Sequence, residues 1–389
     1  MVHAALNPAA RSWAEGGSRR LRVLHAIWNL NYGGMERLLA EILRRTDPDR
    51  FESHLLVLHD LGRFAEGLEE VATLHEADPL PPWSMLWPAR LTAQIRAIAP
   101  DVVHTHSGVW YKVGLAARRA GVRRLVHTDH GRASPDPLVA RLIDRLAARR
   151  TDAVVAVSEV LAKQLADTVV GDARRIHVVT NGVDTSHYRP RPDDGVARAE
   201  LGIAPGVPVL GSVGRLEPIK GYDVMLSAFA RLRAQWRDGL APVLVLVGDG
   251  SERARLEQDA RQAGIADGVR FLGWRDDILS LHRAFDLFTM SSRSEGTSVS
   301  LLEAMSGGLC PVVTRVGGNP ATLGAALDHR LVPAEDPDAL AAAWLDALHD
   351  PARRAADGEA ARDRVIASYS VDAMVRGYER LYAGEPVAR

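Results

Sequence analysis

Short apolar runs rich in β-branched residues recur along this chain between amphipathic stretches, and that rhythm restricts the fold more than any other feature. In the first half the runs are Leu21–Ile27, His54–Leu58, Val102–His106, Arg124–Thr128, Ala153–Val157 and His177–Thr180. In the second half they are Val209–Val213, Val243–Val247, Arg270–Leu272, Leu287–Met290 and Pro311–Thr314. Strands that are apolar on both faces must be covered on both, which is the condition of a parallel sheet flanked by helices. The two halves share this layout, and between them Tyr188–Gly195 is polar, Pro-rich and without apolar period. The expectation is an α/β chain of two Rossmann-like, doubly wound parallel-sheet domains at residues 21–187 and 201–370. A loose tail at 1–20, a linker at 188–200 and a last helix from 371, packing back on the first domain, complete it. Ligands of such folds sit outside the C-terminal ends of the strands, so a cleft between the two sets of strand ends is where chemistry is expected.

Composition removes several classes of function. The chain has 389 residues, 47% hydrophobic and 25% charged, with a net charge of −1, which describes an ordinary globular protein. Its one cysteine, Cys310, excludes an intrachain disulfide, and no Cys/His spacing is that of a zinc site. No apolar run approaches the ~20 residues of a membrane span, and the first twenty residues hold no secretory signal, so a cytoplasmic protein is expected. Charge is uneven: Lys112–Arg150 is strongly basic, and upstream lies Pro81-Pro82-Trp83-Ser84-Met85-Leu86-Trp87. A solvated helix face accounts for the charges; contact with anionic lipid at the inner face of a membrane, or with a pyrophosphate-bearing acceptor, is the alternative.

Four loops carry candidate chemistry. Glu295-Gly296-Thr297-Ser298-Val299 leads into an apolar-periodic stretch containing Glu303 and stopped by Gly307-Gly308, so Glu295 is expected in a loop and Glu303 on a helix that Thr297 or Ser298 caps. Backbone N–H groups, hydroxyls and two acids at a helix start suit a ligand bearing both phosphate and sugar hydroxyls. The bland alternative is a capping box, Ser300-x-x-Glu303. After the run Val209–Val213 come Gly214-Arg215 and Lys220-Gly221, where Arg and Lys at a strand end can hold a diphosphate without a metal. Gly33-Gly34 opens a helix after the first strand, but neither there nor at Gly248-Asp249-Gly250 is the spacing that of a dinucleotide fingerprint, which disfavours hydride transfer. His104, His106, His127 and His130 cluster at two strand ends; satisfied core imidazoles are expected, with His130 facing the cleft and no metal bound.

In this order and spacing the segments resemble those of glycosyltransferase family 4, also called glycosyl transferase group 1, whose enzymes have the two-domain GT-B fold. The likeness runs from about residue 22 to 345. It rests on Gly33-Gly34, His106-Ser107, Thr128-Asp129-His130-Gly131, Val157-Ser158-Glu159 and Asn181-Gly182-Val183-Asp184. It continues through Gly214-Arg215…Lys220-Gly221, Val247–Gly250, Phe271-Leu272-Gly273, Glu295-x7-Glu303 and Asp336–Leu340. The resemblance implies a retaining transfer from a UDP-, GDP- or ADP-sugar to a glycan or lipid-linked acceptor in polysaccharide, exopolysaccharide or glycolipid biosynthesis, with no cofactor and no metal. It implies catalytic roles for His130, Arg215, Lys220 and Glu295. Arg215 and Lys220 would neutralise the donor diphosphate, Glu295 would lie beside the transferred sugar, and His130 would touch sugar or acceptor. Glu303 would bind the ribose, Phe271, Leu272 and Gly273 the base, and Gly33, Gly34, Gly214, Gly250, Gly296, Thr297, Ser298 and Val299 would complete the donor site. The Gly-Thr-Ser after Glu295 departs from the Gly-Phe-Gly or Gly-Phe-Pro of many relatives. Asp47-Pro48-Asp49, a formal match to a metal-binding triplet, is expected to be a turn. A nucleotide-sugar epimerase and a non-catalytic sugar-nucleotide-binding protein are the rival readings.

Overall fold

The computed structural model describes residues 19–31, 33–131, 137–190 and 195–385, and the chain divides into two compact units. The first holds the residues up to Thr180 together with those from Asp372; the second is Asn181–Val371. Each is built on one wholly parallel sheet with helices between successive strands.

The first sheet contains β1 (Leu21–Asn29), β2 (Phe51–Asp60), β3 (Thr73–Glu76), β4 (Val102–His106), β5 (Arg124–Asp129), β6 (Ala153–Ala156) and β7 (Ile176–Val178), in the order β3-β2-β1-β4-β5-β6-β7. Every residue of β4 and β6 is buried, as a strand covered on both faces requires. The strand order reverses at β1, between β2 and β4, which makes the β1–β4 ends the switch point of this unit. The helix Val371–Ala383 belongs here: Tyr378 and Tyr382 are buried, and the backbone N–H of Asp47 donates to Glu379 at 2.8 Å. Asp47–Asp49 is a turn closed by Asp49 N–H on the Asp47 carboxylate at 2.9 Å.

The second sheet contains β8 (Val209–Val213), β9 (Val243–Val247), β10 (Val269–Phe271), β11 (Leu287–Met290), β12 (Cys310–Thr314) and β13 (Leu331–Val332), in the order β10-β9-β8-β11-β12-β13. Its switch point lies between β8 and β11.

The structure differs from the expectations at three places. Strands β3 and β13 are absent from the apolar runs because β3 is a half-exposed edge and β13 is two residues long. By packing, the second unit begins at Asn181, ahead of the expected end of the first domain at residue 187. Nor is the whole of 188–200 a free linker. Val183, Tyr188 and Ala197 join the core around Phe288, Leu302 and Tyr369, and the Ser306 hydroxyl donates to the Tyr188 carbonyl at 2.5 Å. Two apolar side chains in this polar stretch, Tyr188 and Ala197, suffice to dock it, and Val196–Glu200 is a short helix. The tail up to residue 18, linker residues 191–194, residues 132–136 of the basic stretch and the side chain of Trp83 lie outside the described residues.

Candidate functional site

In the second unit, the loop after β8 folds into a single 3-10 turn, Pro218–Lys220, before the helix Tyr222–Gln235. Gly221 makes this possible, since its φ is 63° and a Cβ there would meet the Ser291 carbonyl oxygen at 2.3 Å. The Ser291 hydroxyl donates to the Gly221 carbonyl at 2.8 Å, which fastens the loop to the end of β11. Because β8 and β11 are neighbours, Lys220 and Glu295 then meet, Nζ to Oε1, at 2.5 Å. Glu295 Oε1 also accepts from the Ser292 hydroxyl at 2.6 Å. The carboxylate is nearly buried, with 7% of its side chain exposed against 21% for Lys220. Arg215 projects from the same loop and is exposed, and its guanidinium has no hydrogen-bond partner among the described residues. Its neighbour Glu217 is taken up by Ser251, whose hydroxyl donates to Oε2 at 2.7 Å; that bond and the Ser251 N–H hold the Glu217 carboxyl below its usual range.

Below Glu295 the helix Val299–Ser306 begins at Ser298, whose hydroxyl accepts from the Leu301 N–H. The capping-box alternative is therefore excluded: with Ser298 as N-cap, Ser300 and Glu303 are already inside the helix. Glu303 is buried in its middle. Thr297 and Ser298 are buried too, and the Thr297 carbonyl accepts from the Asn181 amide at 2.6 Å. On the other side Gly317, with φ 50°, lies so close under Glu295 that a Cβ would stand 1.8 Å from the Glu295 carbonyl oxygen. Gly214 is tied by its N–H to Val247 at 2.9 Å, and Gly248 donates to Gly273 at 2.8 Å, so Gly214, Gly250 and Phe271–Gly273 form one run of adjacent strand ends. Asn181, Ser292 and Gly317 position this site, and sequence reasoning gave none of them a role. Asn181 lay in a quoted motif; the other two carried no signal.

The first unit holds the remaining candidates. Gly33 is the N-cap of the helix Gly34–Arg45, in extended backbone, with the Glu36 side chain folded over it. His130 follows β5, and burial pulls its imidazole down to about 4. Its Nε2 meets His106 Nδ1 at 3.3 Å. His104 and His127 are satisfied core imidazoles. His104 pairs with the Tyr382 hydroxyl at 2.9 Å and the Thr128 hydroxyl at 2.8 Å, and His127 stacks on Trp110 at 3.8 Å. Strand order adds a member that spacing did not reveal. His25 on β1 joins His104 and His106, and one ring nitrogen from each lies within 4.8 Å of the others. Both nitrogens of His104 and both of His106 already have partners, so this group fits a metal poorly.

Two parallel-sheet Rossmann-like units, with a cationic loop and two acids at the switch point of the second, are the architecture of the GT-B fold. The family model for group 1 glycosyl transferases matches residues 193–364 and that for glycosyltransferase family 4 matches residues 32–187. The D-inositol 3-phosphate glycosyltransferase of Salinispora arenicola is 33% identical over 314 residues, 74% of this chain and 69% of that protein. That of Jonesia denitrificans is 32% identical over 271 residues, 64% of each, so the chain spans under two thirds of that relative. The structure of Anabaena HepE in complex with UDP and glucose superposes with a TM-score of 0.80 at 23% identity, over 94% of this chain and 100% of that one. The chain belongs to the group 1, family 4 glycosyltransferases.

Proposed function

We propose that the protein transfers a sugar, with retention of anomeric configuration, from a nucleoside diphosphate-sugar to a glycan or lipid-linked acceptor. The observation that carries this reading is the convergence of Arg215, Lys220 and Glu295 at the ends of β8 and β11. As the glycosidic bond breaks, negative charge gathers on the leaving phosphate oxygen, and fixed cations there stabilise the transition state more than the ground state. Arg215 offers an uncommitted fork of donors. Lys220 has three N–H donors and can keep Glu295 while taking a phosphate oxygen. Glu295, braced by Ser292, Lys220 and the Gly317 turn, accepts hydrogen bonds from the sugar; Glu303 accepts from the ribose. In the first unit Gly33 and Gly34 bring backbone to the phosphates and His130 contacts sugar or acceptor. Two cations take the part a divalent metal would play, so chelator is expected to leave the rate unchanged.

The names of the relatives support a second acceptor class, a small phosphorylated cyclitol. Both are tested together by incubating the protein with UDP-, GDP- and ADP-sugars and a panel holding glycans, a polyprenyl-phosphate-linked sugar and inositol 3-phosphate, and following products by mass spectrometry and NMR. A new α-linked product from an α-linked donor is the expected result. Solvent deuterium entering the donor without transfer would mean an epimerase, and tight nucleotide binding with no product from any pair would mean a binding protein.

We propose further that the first unit touches anionic membrane. The helix Leu138–Ala148 exposes Leu138, Val139 and Leu142 at 73%, 71% and 60%, with exposed Arg145 one turn further along the face of Leu138 and Leu142. Trp87, 63% exposed, lies under the Arg119 guanidinium at 4.2 Å. No helix among the described residues is long and apolar enough to cross a membrane. Sedimentation with phosphatidylglycerol vesicles at low salt is expected to bring the protein down and to fade as salt rises. Leu138→Ser with Leu142→Ser should weaken binding by about tenfold or more, given ~1.5–3 kcal/mol for each apolar side chain removed from water. Equal binding by the double variant would reject the surface.

A further inference from the structure

Three histidines of the first unit stand on one face of its sheet and are joined in series. His25 and His104 are register partners on β1 and β4, and His106, two residues on, projects to the same side. Thr128 is the β5 partner of His106, and His130 is again two residues further. The rings connect head to tail: His25 Nδ1 to His106 Nε2 at 3.2 Å, and His106 Nδ1 to His130 Nε2 at 3.3 Å. Ser107, directly after His106, is held at φ 48°, a left-handed conformation that a non-glycine residue adopts only where its surroundings impose it. The two outer nitrogens, His25 Nε2 and His130 Nδ1, are buried without a partner among the described residues.

A neutral imidazole has one N–H and one lone pair, on different nitrogens. Two bonds in series therefore leave only two arrangements. Either all three rings carry hydrogen on Nδ1, or all three carry it on Nε2. The second would place an orphan N–H at His25, which is fully buried where no water or ligand reaches it. The first places that hydrogen at His130 Nδ1, an atom that is itself covered but belongs to the one partly exposed ring of the three, at the end of the series next to the strand ends where a ligand is expected. Burial keeps all three rings neutral near pH 7, pulling His25 to about 3 and His130 to about 4 and lowering His106 well below its ordinary value.

From this geometry we infer that His106 and His25 are positioning residues that lock His130 in the Nδ1–H tautomer, so that it meets the transferred sugar or the acceptor as a hydrogen-bond donor. The inference rests on the reading of His130 as a reacting-centre residue. His104 stands outside the chain, since its two nitrogens are held by Tyr382 and Thr128.

The test is long-range 1H–15N NMR of histidine-labelled full-length protein near neutral pH, with signals assigned by single substitutions. His25, His106 and His130 are expected to show pyrrole-like Nδ1 and pyridine-like Nε2. In His106→Leu the His130 signal should move to the Nε2–H form or an average of the two. Turnover should fall about 10- to 100-fold in kcat at nearly unchanged donor KM, as for other histidines that lose the partner fixing their tautomer. His106→Gln, whose amide can both accept and donate, should restore part of the turnover. An Nε2–H or charged His130 in the native protein overturns the inference, as does a His130 signal unmoved in His106→Leu, or near-stoichiometric zinc on the native protein with its histidine signals shifted by chelation. Unchanged turnover in His130→Ala, beside the Nδ1–H signature in the native protein, would instead remove the role of His130, while the tautomer chain stands.

Discussion

Taking the protein from pH 7 to pH 5 is expected to cost the first unit about 4 kcal/mol of stability, while carboxylates of ordinary pKa stay largely ionised. The cause is the same group of imidazoles. His25 and His130 titrate at about 3 and about 4 in the folded chain because burial disfavours their cations, and at about 6.5 once unfolded. Between these values the unfolded chain binds protons that the folded chain refuses, so stability is complete above pH 6.5 and falls as pH drops toward 4 and 3. At pH 5 each of the two has crossed about 1.5 pH units of that window, or ~2 kcal/mol at 1.36 kcal/mol per unit. His104 and His106 are lowered by burial and by mutual repulsion with neighbouring imidazoles, and add to the loss in the same direction. The carboxylates held low by partners, such as Asp277 beside Arg275, act only at more acid pH and leave a separate, later step. Urea unfolding followed by hydrogen exchange of the β4 and β5 amides, corrected for intrinsic rates, measures the effect. An exchange free energy that stays flat from pH 7 to pH 5 would show that the cluster takes up protons without unfolding. His25→Phe should flatten part of the slope.

Much of this fold was readable because strands covered on both faces write their burial into consecutive residues. Val243–Val247 is an uninterrupted apolar run, and its five residues are all buried. What was not readable depends on which strand lies beside which. The pair His104 and His106 shows period two on a single strand, but the third partner, His25, arrives only because β1 lies next to β4 rather than between β2 and β3. Likewise Lys220 and Glu295 appear in the sequence as two separate motifs. Their 2.5 Å contact needs β8 beside β11, a positive φ at Gly221, and a glycine at 317 that lets another loop pass beneath Glu295. Ser292 had no motif to mark it, since any small hydroxyl residue there reads as an ordinary loop position. The linker was misread for the opposite reason. Its polar, proline-rich composition masked Tyr188 and Ala197, whose burial fastens that stretch to the second unit.

Substituting the Lys220–Glu295 pair should give the largest losses of activity, and the way the two losses combine carries more information than either alone. Lys220→Ala removes a cation from the place where the leaving phosphate gathers charge, and is expected to lower kcat by about 10²–10³. It also leaves the nearly buried Glu295 carboxylate with Ser292 as its remaining side-chain partner, so the carboxylate should turn away from the sugar as well. Glu295→Gln keeps an acceptor for Ser292 and frees Lys220 entirely for phosphate. Its loss should therefore fall on the sugar, lowering kcat by about 10²-fold while nucleotide binding stays the same or tightens. Independent effects would multiply to about 10⁴–10⁵ in the double variant, but groups in direct contact do not act independently. Because Lys220→Ala already displaces the carboxylate, adding Glu295→Gln should cost little more than Lys220→Ala by itself. Arg215→Ala, whose guanidinium shares no hydrogen bond with the pair, should combine with Glu295→Gln nearly multiplicatively. Turnover of the singles and doubles, with nucleoside diphosphate affinity by calorimetry and Tm as a check on folding, resolves the cycle. A Lys220/Glu295 double loss equal to the product of the singles would mean that the 2.5 Å contact has no part in catalysis, and that the two side chains act on the donor separately.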